Sequence, residues 1–370
     1  MNTISIIFRI SFLLVLLGGL LNTLFYFSPS QRYNTLAFDF IVYFWILAIF
    51  FNSLKNAKVP KRNFVFVYIA LFYLVVQGIL FSQSMDIFWL EFLTAYKWVA
   101  LMLVLFSIRT VPRPIISVAD IHFLISIFVV KYFFDNMLFN VWRPGLFGEN
   151  NFEQPLIFLL LAYTYARKGR LALTEKAKGF FLLAVGGSKS TVLGVFAGLI
   201  SNFKFSKKGM VYFLLGVPLA AIVTFVLVIQ KLDFDNIDRL NFAISAYTEM
   251  SQHSWSELFL GTWPLAPLSP ETCNRLSFYH ELITSVSENL CYSRVFHGFL
   301  FRMIHDHGLL SLIIFVLIYK RLRTAGFDTR LSKFVMFVIL ANSLSVSGLN
   351  NHFIILGMAI LVHGGTRNLR

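Results

Sequence analysis

Residues 231–295 read KLDFDNIDRLNFAISAYTEMSQHSWSELFLGTWPLAPLSPETCNRLSFYHELITSVSENLCYSRV. This segment is rich in charged side chains, whereas the sequence on either side of it is almost entirely apolar. A segment this polar is unstable in the hydrocarbon of a bilayer, because every charge and every unsatisfied backbone group is costly there. The pattern predicts that the segment is the main extramembrane part of a chain that is otherwise embedded in a membrane.

The composition points the same way. The chain has 370 residues, of which 57% are hydrophobic and 14% are charged, whereas charged residues make up about 25% of a typical soluble domain. The formal net charge is +14, but the basic residues lie in short clusters between apolar runs, as the positive-inside rule predicts. We therefore expect a lipid bilayer as the surrounding partner and no nucleic acid.

The apolar runs predict an all-α, polytopic membrane helix bundle of about twelve spans. The runs lie near residues 4–27, 36–53, 64–82, 88–108, 115–139, 152–166, 179–187, 190–203, 210–230, 297–319, 334–347 and 353–363. Around Gly186 and Gly187 two alternatives stay open, namely two short helices or one broken helix with a re-entrant turn. Residues 1–370 are interpreted as one membrane domain, with 231–296 as a loop subdomain.

The distribution of Lys and Arg predicts the orientation of the chain. Most of them lie in alternate loops on one side, which we assign to the cytoplasm together with both termini. The polar segment then faces the periplasm of a bacterial inner membrane. The N-terminal apolar run is longer than the apolar region of a secretory signal, typically about 7 to 15 residues, and is interpreted as a retained first helix.

Within the polar segment, apolar residues at helical spacing predict amphipathic helices over residues 239–250 and 275–290. The Gly and Pro residues between them predict irregular structure. Cys273 and Cys291 both lie in this segment. In an oxidising periplasm they can form a disulfide, and two unpaired thiols are the alternative.

Four basic residues lie at predicted outer turns or helix starts: Arg143, Lys189, Arg239 and Arg294. Arginine forks bind phosphate oxygens in a bidentate manner and a lysine adds a point charge, so a cradle of this kind suits a diphosphate. The alternative for each residue is an anchor at the membrane interface.

Histidines near the predicted re-entry point suggest acid–base chemistry. The imidazole of His297 is suited to accept a proton from a hydroxyl group near neutral pH, with a structural role as the alternative. His305 and His307 are two residues apart, so their rings should lie on different faces of a helix, and we expect no metal site. Lys131 and Asp135 are four apart and are expected to pair, with a proton relay as the alternative.

Several short motifs resemble, in order, those of the O-antigen ligase and polymerase family, a group of bacterial surface-polysaccharide enzymes. They are Arg143 with Gly145 and Glu149-Asn150-Asn151, Ser188-Lys189-Ser190, Arg239, His297 with Leu300, and the stretch 306–310. The resemblance covers roughly residues 140–320. Two positions depart from the family pattern, because Lys189 stands where many members have Arg and Gly298 stands where Asn or Ser is common.

The resemblance implies a GT-C-like, metal-independent and cofactor-independent inverting glycosyl transfer at the periplasmic face. The donor would be an oligosaccharide linked to undecaprenyl diphosphate. Lys189 and Arg239 would hold the diphosphate, with Arg143, Arg294, Glu149 and Asn150 beside them, and His297 would be the base.

Polymerisation onto the next lipid-linked repeat unit is the favoured interpretation, and ligation to lipid A core is the rival within the family. A flippase and a chain-length regulator are candidate partners. A lipid-linked oligosaccharide flippase or another transporter is the rival from a different class, but a transporter should carry its functional charges at mid-membrane.

Overall fold

The computed structural model describes residues 3–25, 36–55, 89–141, 144–146, 150–201, 238–262, 266–277, 291–296, 298–345 and 348–365, together with Val65, Ile69, Phe72, Tyr73 and Val76. All regular structure in these ranges is helical. The predicted spans near 64–82 and 210–230 and the predicted loop helix over 275–290 lie mostly or entirely outside the described residues. The count of twelve spans stays a prediction.

The α-helices are α1 (Thr3–Phe25), α2 (Leu36–Lys55), α3 (Trp89–Ser107), α4 (Val118–Phe133), α5 (Asn150–Lys168), α6 (Leu173–Gly186), α7 (Lys189–Ile200), α8 (Asp238–Ser251), α9 (Trp255–Leu260), α10 (Pro270–Arg275), α11 (Phe299–His307), α12 (Ile313–Thr324), α13 (Thr329–Ser345) and α14 (His352–Gly364). Three short 3-10 helices cover Ser293–Val295, Leu309–Leu312 and Gly348–Asn350, and a π-helix, Phe134–Leu138, extends α4.

Helix α14 forms the centre of the bundle. Every residue from His352 to Gly364 is buried, and the helix packs against α2, α3 and α5. Glycines allow the closest approaches, since a Cβ built on Gly357 would lie 2.7 Å from Leu159, and one built on Gly364 would lie 2.2 Å from Tyr163. One large hydrophobic core therefore extends around a single enclosed helix.

Helix α1 is fixed to α4 by polar contacts at one end of the bundle. Ser117 caps α4, and its side chain and that of Asp120 form a reciprocal capping box. The Asp120 carboxylate also accepts hydrogen bonds from Ser5 at 2.5 Å and from Arg9 at 2.8 Å. A capping residue of one helix therefore also positions its neighbour.

Glycines with positive φ angles interrupt the helical structure at two places, Gly187 and Gly308. Helix α6 ends at Gly186, and Gly187 has φ +63°, so the chain turns and begins α7 at Lys189. Of the two alternatives for this region, the structure has two short helices. The single span predicted over 297–319 is wrong, because Gly308 adopts φ +70° and separates α11 from the 3-10 turn and α12 that follow.

The region between the predicted loop helices also differs from the prediction of irregular structure. Helix α9 begins with a capping box between Ser254 and Glu257, and α10 begins at Pro270, where the missing N–H group costs nothing. The first loop helix is confirmed, with α8 starting one residue before the predicted residue 239 and ending one after residue 250.

A helix that crosses a bilayer must be long and predominantly apolar. Within the described residues one helix, Thr3–Leu24, passes by length and composition, and 33% of its most apolar window is buried inside the protein. Three shorter apolar helices are Tyr96–Ser107, Lys189–Ile200 and His352–Gly364.

Candidate functional site

The polar segment folds over the bundle around a small apolar core of its own. Phe242, Leu276 and Val295 are buried in this core, together with Ala246, Leu268, Cys291 and Phe296. A disulfide joins Cys273 to Cys291, and the backbone N–H of Leu268 donates to the Cys291 carbonyl at 2.8 Å. Of the two alternatives for the cysteines, the structure has the disulfide, which ties α10 to the chain that leads into α11.

Glu249 connects α8 to α10. Its buried carboxylate accepts hydrogen bonds from the Ser269 N–H at 3.0 Å, the Ser269 hydroxyl at 2.7 Å and the Thr272 hydroxyl at 2.8 Å. Ser269 is the N-cap of α10, so Glu249 positions the residue that begins that helix. Glu249 is thereby held in place from one side.

Helix α11 presents His305 and Asp306 towards these loop helices. The Asp306 carboxylate accepts a hydrogen bond from the Ser293 hydroxyl at 2.7 Å and lies 3.1 Å from His305 Nδ1. The Thr262 backbone N–H donates to the His305 carbonyl at 2.9 Å. The other ring nitrogen of His305, Nε2, lies 4.0 Å from Glu249 Oε1. A buried imidazole is therefore placed between two carboxylates.

His253 completes this group. Its ring centroid lies 5.1 Å from that of His305, and its Nδ1 atom is buried without a hydrogen-bond partner among the described residues. Burial lowers the pKa of His253, and the neighbouring His305 lowers it further. The ligand-type atoms of Glu249, His253 and His305 all lie within 4.8 Å of one another. We call these three residues the Glu-His-His cluster.

His307 faces a different set of partners, as its spacing from His305 predicts. Its Nδ1 lies 2.5 Å from the Tyr73 hydroxyl, and the Trp98 indole N–H donates to its Nε2 at 3.3 Å. An indole nitrogen only donates, so Nε2 must be the unprotonated acceptor and Nδ1 must carry the proton. This environment holds His307 as a neutral imidazole inside an aromatic pocket.

The predicted site residues differ in how far the structure describes them. Lys189 is exposed at the start of α7. Arg239 lies in the first turn of α8, Arg294 in the 3-10 turn before α11, and Asn150 at the first position of α5, and for these three only the backbone is described. Arg143, Glu149 and His297 lie outside the described residues. That the side chains of these predicted site residues lie close together in one site stays a prediction.

The helices that carry several of these residues do begin near one another. Helices α7 and α13 pack side by side, with Gly198 against Phe334 and Gly194 against Ala341, so the start of α7 lies towards the C-terminal end of α13. At that end the Asn342 side chain donates to the Asn151 carbonyl at 3.0 Å, in the first turn of α5.

Gly298 reaches the same end of α13. A Cβ built on Gly298 would lie 2.9 Å from the Leu344 carbonyl oxygen, so the two backbones are in close contact there. Any residue with a side chain would have to shift the chain at this point, which gives a packing reason for glycine directly after His297. The segments that carry Asn150, Lys189 and His297 therefore share one end of the bundle.

Two buried carboxylates hold the turn at residues 144–146. Asp135 pairs with Lys131 at 2.5 Å, which confirms the predicted pair, and it also accepts the Gly145 N–H at 3.3 Å. Glu153 accepts the Leu146 N–H at 2.7 Å. Glu153 is absent from the residues predicted above, although an acidic residue in the first turn of an apolar helix was the available signal.

The geometry thus contains a Glu-His-His cluster in which Glu249 and His305 are buried and His253 is half-buried, with Asp306 behind His305. It also contains a shared bundle end at which predicted phosphate-binding segments begin. No known protein-family model matches this chain, and no curated protein matches it.

Proposed function

We propose that the chain is a multi-pass membrane glycosyltransferase of the inner membrane that polymerises a surface polysaccharide such as O-antigen. It transfers a glycan chain from undecaprenyl diphosphate onto a lipid-linked repeat unit at the periplasmic face. The observation that carries this proposal is the common end of α13, where the segments bearing Asn150, Lys189 and His297 begin.

Exposed apolar side chains support the membrane assignment. Helix α1 exposes Leu14 at 57% and Leu21 at 52%, and α2 exposes Phe40 at 72% and Phe51 at 61%. Contiguous apolar surface on this scale is rare on soluble monomers. Helix α7 adds Leu193, Phe196 and Leu199 to the exposed set. Lipid contact accounts for these outward faces of the bundle.

The disulfide supports the proposed orientation. Disulfides persist in oxidising compartments such as the bacterial periplasm and are rare in the cytosol. The Cys273–Cys291 bridge lies in the same segment as Arg239 and Arg294. If this segment lies in the periplasm, it is next to the outer leaflet of the inner membrane. A lipid-linked glycan donor would present its diphosphate at that leaflet after translocation.

The proposed reaction is a single displacement with inversion. The acceptor hydroxyl attacks the anomeric carbon of the donor glycan, and the bond from that carbon to the diphosphate oxygen breaks. His297 takes the hydroxyl proton as general base. The leaving diphosphate keeps the bonding electron pair, and Arg239, Lys189 and Arg143 stabilise its added charge. The N-terminal end of α7 adds backbone N–H groups at Lys189.

A deletion strain separates polymerase from ligase. Loss of a polymerase should leave core lipopolysaccharide that carries a single repeat unit, because capping continues while extension stops. Loss of a ligase should leave bare core. The lipopolysaccharide ladder on a gel reads out both states, and bare core would refute the polymerase assignment.

Two variants test the proposed centre in the complemented strain. His297→Ala and Arg239→Ala should abolish chain extension while the protein still accumulates in the membrane. His122→Ala and Arg113→Ala are matched controls and should retain the full ladder. Arg113 lies in a loop that is assigned to the cytoplasmic side, and His122 pairs with Glu175 in the first turn of α6, away from the start of α5. A full ladder from both test variants would remove His297 and Arg239 from the mechanism.

A further inference from the structure

The Glu-His-His cluster has the composition of a transition-metal site. We propose that Glu249, His253 and His305 bind one zinc ion that clamps the loop helix α8 onto α11. The proposal concerns how the polar segment is held on the bundle, and it stands independently of the glycosyl transfer, in which the ion has no part.

The three ligands come from two segments that are far apart in sequence but packed together. Glu249 lies in the last turn of α8, and His253 lies two residues beyond the end of that helix, where its N–H donates to the Met250 carbonyl at 3.2 Å. This turn keeps the ligand atoms of the two residues within 4.8 Å of each other. His305 contributes from α11, which contacts α8. Metal binding would therefore join two separate elements.

The hydrogen bonds of His305 leave one ring nitrogen directed at the cluster. Its Nδ1 lies 3.1 Å from the Asp306 carboxylate, which can only accept when ionised, so this nitrogen carries the proton. The other ring nitrogen, Nε2, points towards the cluster and lies 4.0 Å from Glu249 Oε1. Two potential ligand atoms therefore face each other across a gap that a bound cation would fill.

The carboxylate behind the histidine is also typical of metal sites. Histidine ligands almost always donate their second ring N–H to a carboxylate or carbonyl, which fixes the tautomer and the orientation of the ring. Asp306 takes this position, and it is itself fixed by the Ser293 hydroxyl at 2.7 Å. Both Asp306 and His305 are buried, at 2% and 1% exposure, so the arrangement is built into the fold.

His253 supplies an independent observation. Its Nδ1 atom is buried and has no hydrogen-bond partner among the described residues. Leaving a buried polar atom unsatisfied costs about 1–3 kcal/mol, so the residue is poorly explained by packing alone. A metal ion bound by the cluster would give this nitrogen atom of His253 a partner.

The ligand set favours zinc over the hard cations. Calcium and magnesium take oxygen ligands, whereas two imidazoles and one carboxylate suit zinc, with water as a fourth ligand. Zinc–nitrogen and zinc–oxygen bonds of about 2.1 Å place tetrahedral ligands about 3.4 Å apart. The three ligand atoms lie within 4.8 Å of one another, so binding requires the most distant pair to close by at most about 1.4 Å, which side-chain rotation can provide.

The test uses the full chain, purified in detergent with its disulfide intact and without a polyhistidine tag. After removal of metals with a chelator, the protein is incubated with zinc chloride, and bound zinc is counted by mass spectrometry. Wild type should retain about one zinc per chain, and cobalt should give the visible absorption of a four-coordinate site. Zinc should also raise the melting temperature of wild type, because it binds only the folded state.

His253→Ala is the decisive variant, since it removes one ligand and leaves the contacts of Glu249 with Ser269 and Thr272 in place. It should lose the bound zinc, the cobalt spectrum and the thermal shift, as should His305→Gln. His122→Ala, a histidine outside the cluster, should keep all three. Wild type without bound zinc, or His253→Ala with the zinc of wild type, would overturn the proposal.

Discussion

At the scale of single residues, buried charges in this protein fix the backbone. Asp135 neutralises Lys131, accepts a hydrogen bond from the Thr23 hydroxyl at 2.9 Å and also holds the Gly145 N–H. The pair thereby fixes the turn at 144–146 against α1 and the π-helix that extends α4. Breaking such a pair is costly, since the remaining charge stays buried without a counter-ion.

Asp135→Asn should therefore lower the free energy of unfolding by about 3–5 kcal/mol. The double variant Lys131→Met, Asp135→Asn should lose less than the sum of the two single variants, because it leaves no uncompensated charge. Thermal unfolding of the purified proteins measures both. Lys176→Met, an exposed lysine, is the control and should change stability little. Additive losses in the double variant would mean that the two side chains are not coupled.

At the scale of elements, the contact between α7 and α13 depends on glycines. Gly194 and Gly198 form a G-x-x-x-G pattern on α7, and a Cβ on either would lie within 3.0 Å of α13 atoms. Small residues at this spacing allow two helix backbones to approach closely, which is a common packing mode in membranes. The start of α7, with Lys189, is placed by this contact.

Gly194→Leu should separate α7 from α13, because the leucine would meet the backbone of Phe337 and Val338. We expect a loss of about 1–3 kcal/mol in stability, as for other overpacked cores, and shortened polysaccharide chains if Lys189 is displaced. Leu193→Ala, which changes an exposed neighbour, is the control. Melting temperatures compare the two, and an unchanged value for Gly194→Leu would contradict the close contact between these helices.

The disulfide provides a second test at the element scale. Its half-cystines are 18 residues apart, and closing a loop of this size should stabilise the folded segment by about 3 kcal/mol. Cys273→Ser, or reduction of the wild type, should make residues 238–296 more sensitive to proteases than the bundle. Alkylation before reduction should leave both cysteines unlabelled, and full labelling at that stage would exclude the bridge.

At the scale of the whole molecule, the arrangement of basic residues predicts the topology. A cytoplasmic reporter fused after residue 370 should be active, and a reporter that is active only in the periplasm should be active when inserted near residue 252, at the exposed end of α8. These outcomes follow from the positive-inside rule. Activity of the cytoplasmic reporter at residue 252 would invert the proposed orientation and place the candidate site on the wrong face for a translocated lipid-linked glycan.

Much of the helical architecture is predictable because apolar runs and helix ends leave local signals. The predicted runs at 36–53, 88–108 and 353–363 agree with α2, α3 and α14 to within a few residues. The break at Gly308 is not predicted even though its glycine is visible in the sequence, because the apolar residues 309–319 that follow it suggest that the span continues. The capping box at Ser254 is a local signal too, but the Gly and Pro residues that follow it favour irregular structure.

The candidate site is less predictable because its parts are distant in sequence. The sequence pairs His305 only with His307, its neighbour along the chain, whereas its actual neighbours are Glu249 and His253, which lie about fifty residues earlier. No local pattern links α8 to α11. The Lys131–Asp135 pair is predicted correctly for the opposite reason, since both residues lie on one helix face.

The enclosure of α14 also bears on how the protein is made. Helices α2, α3 and α5, against which α14 packs, all precede it in the sequence, so a ribosome completes them first. Their faces towards α14 stay uncovered until residues 352–364 emerge and pack. A chain arrested before that point would expose apolar surface that the complete fold buries, which makes the arrested chain prone to aggregation.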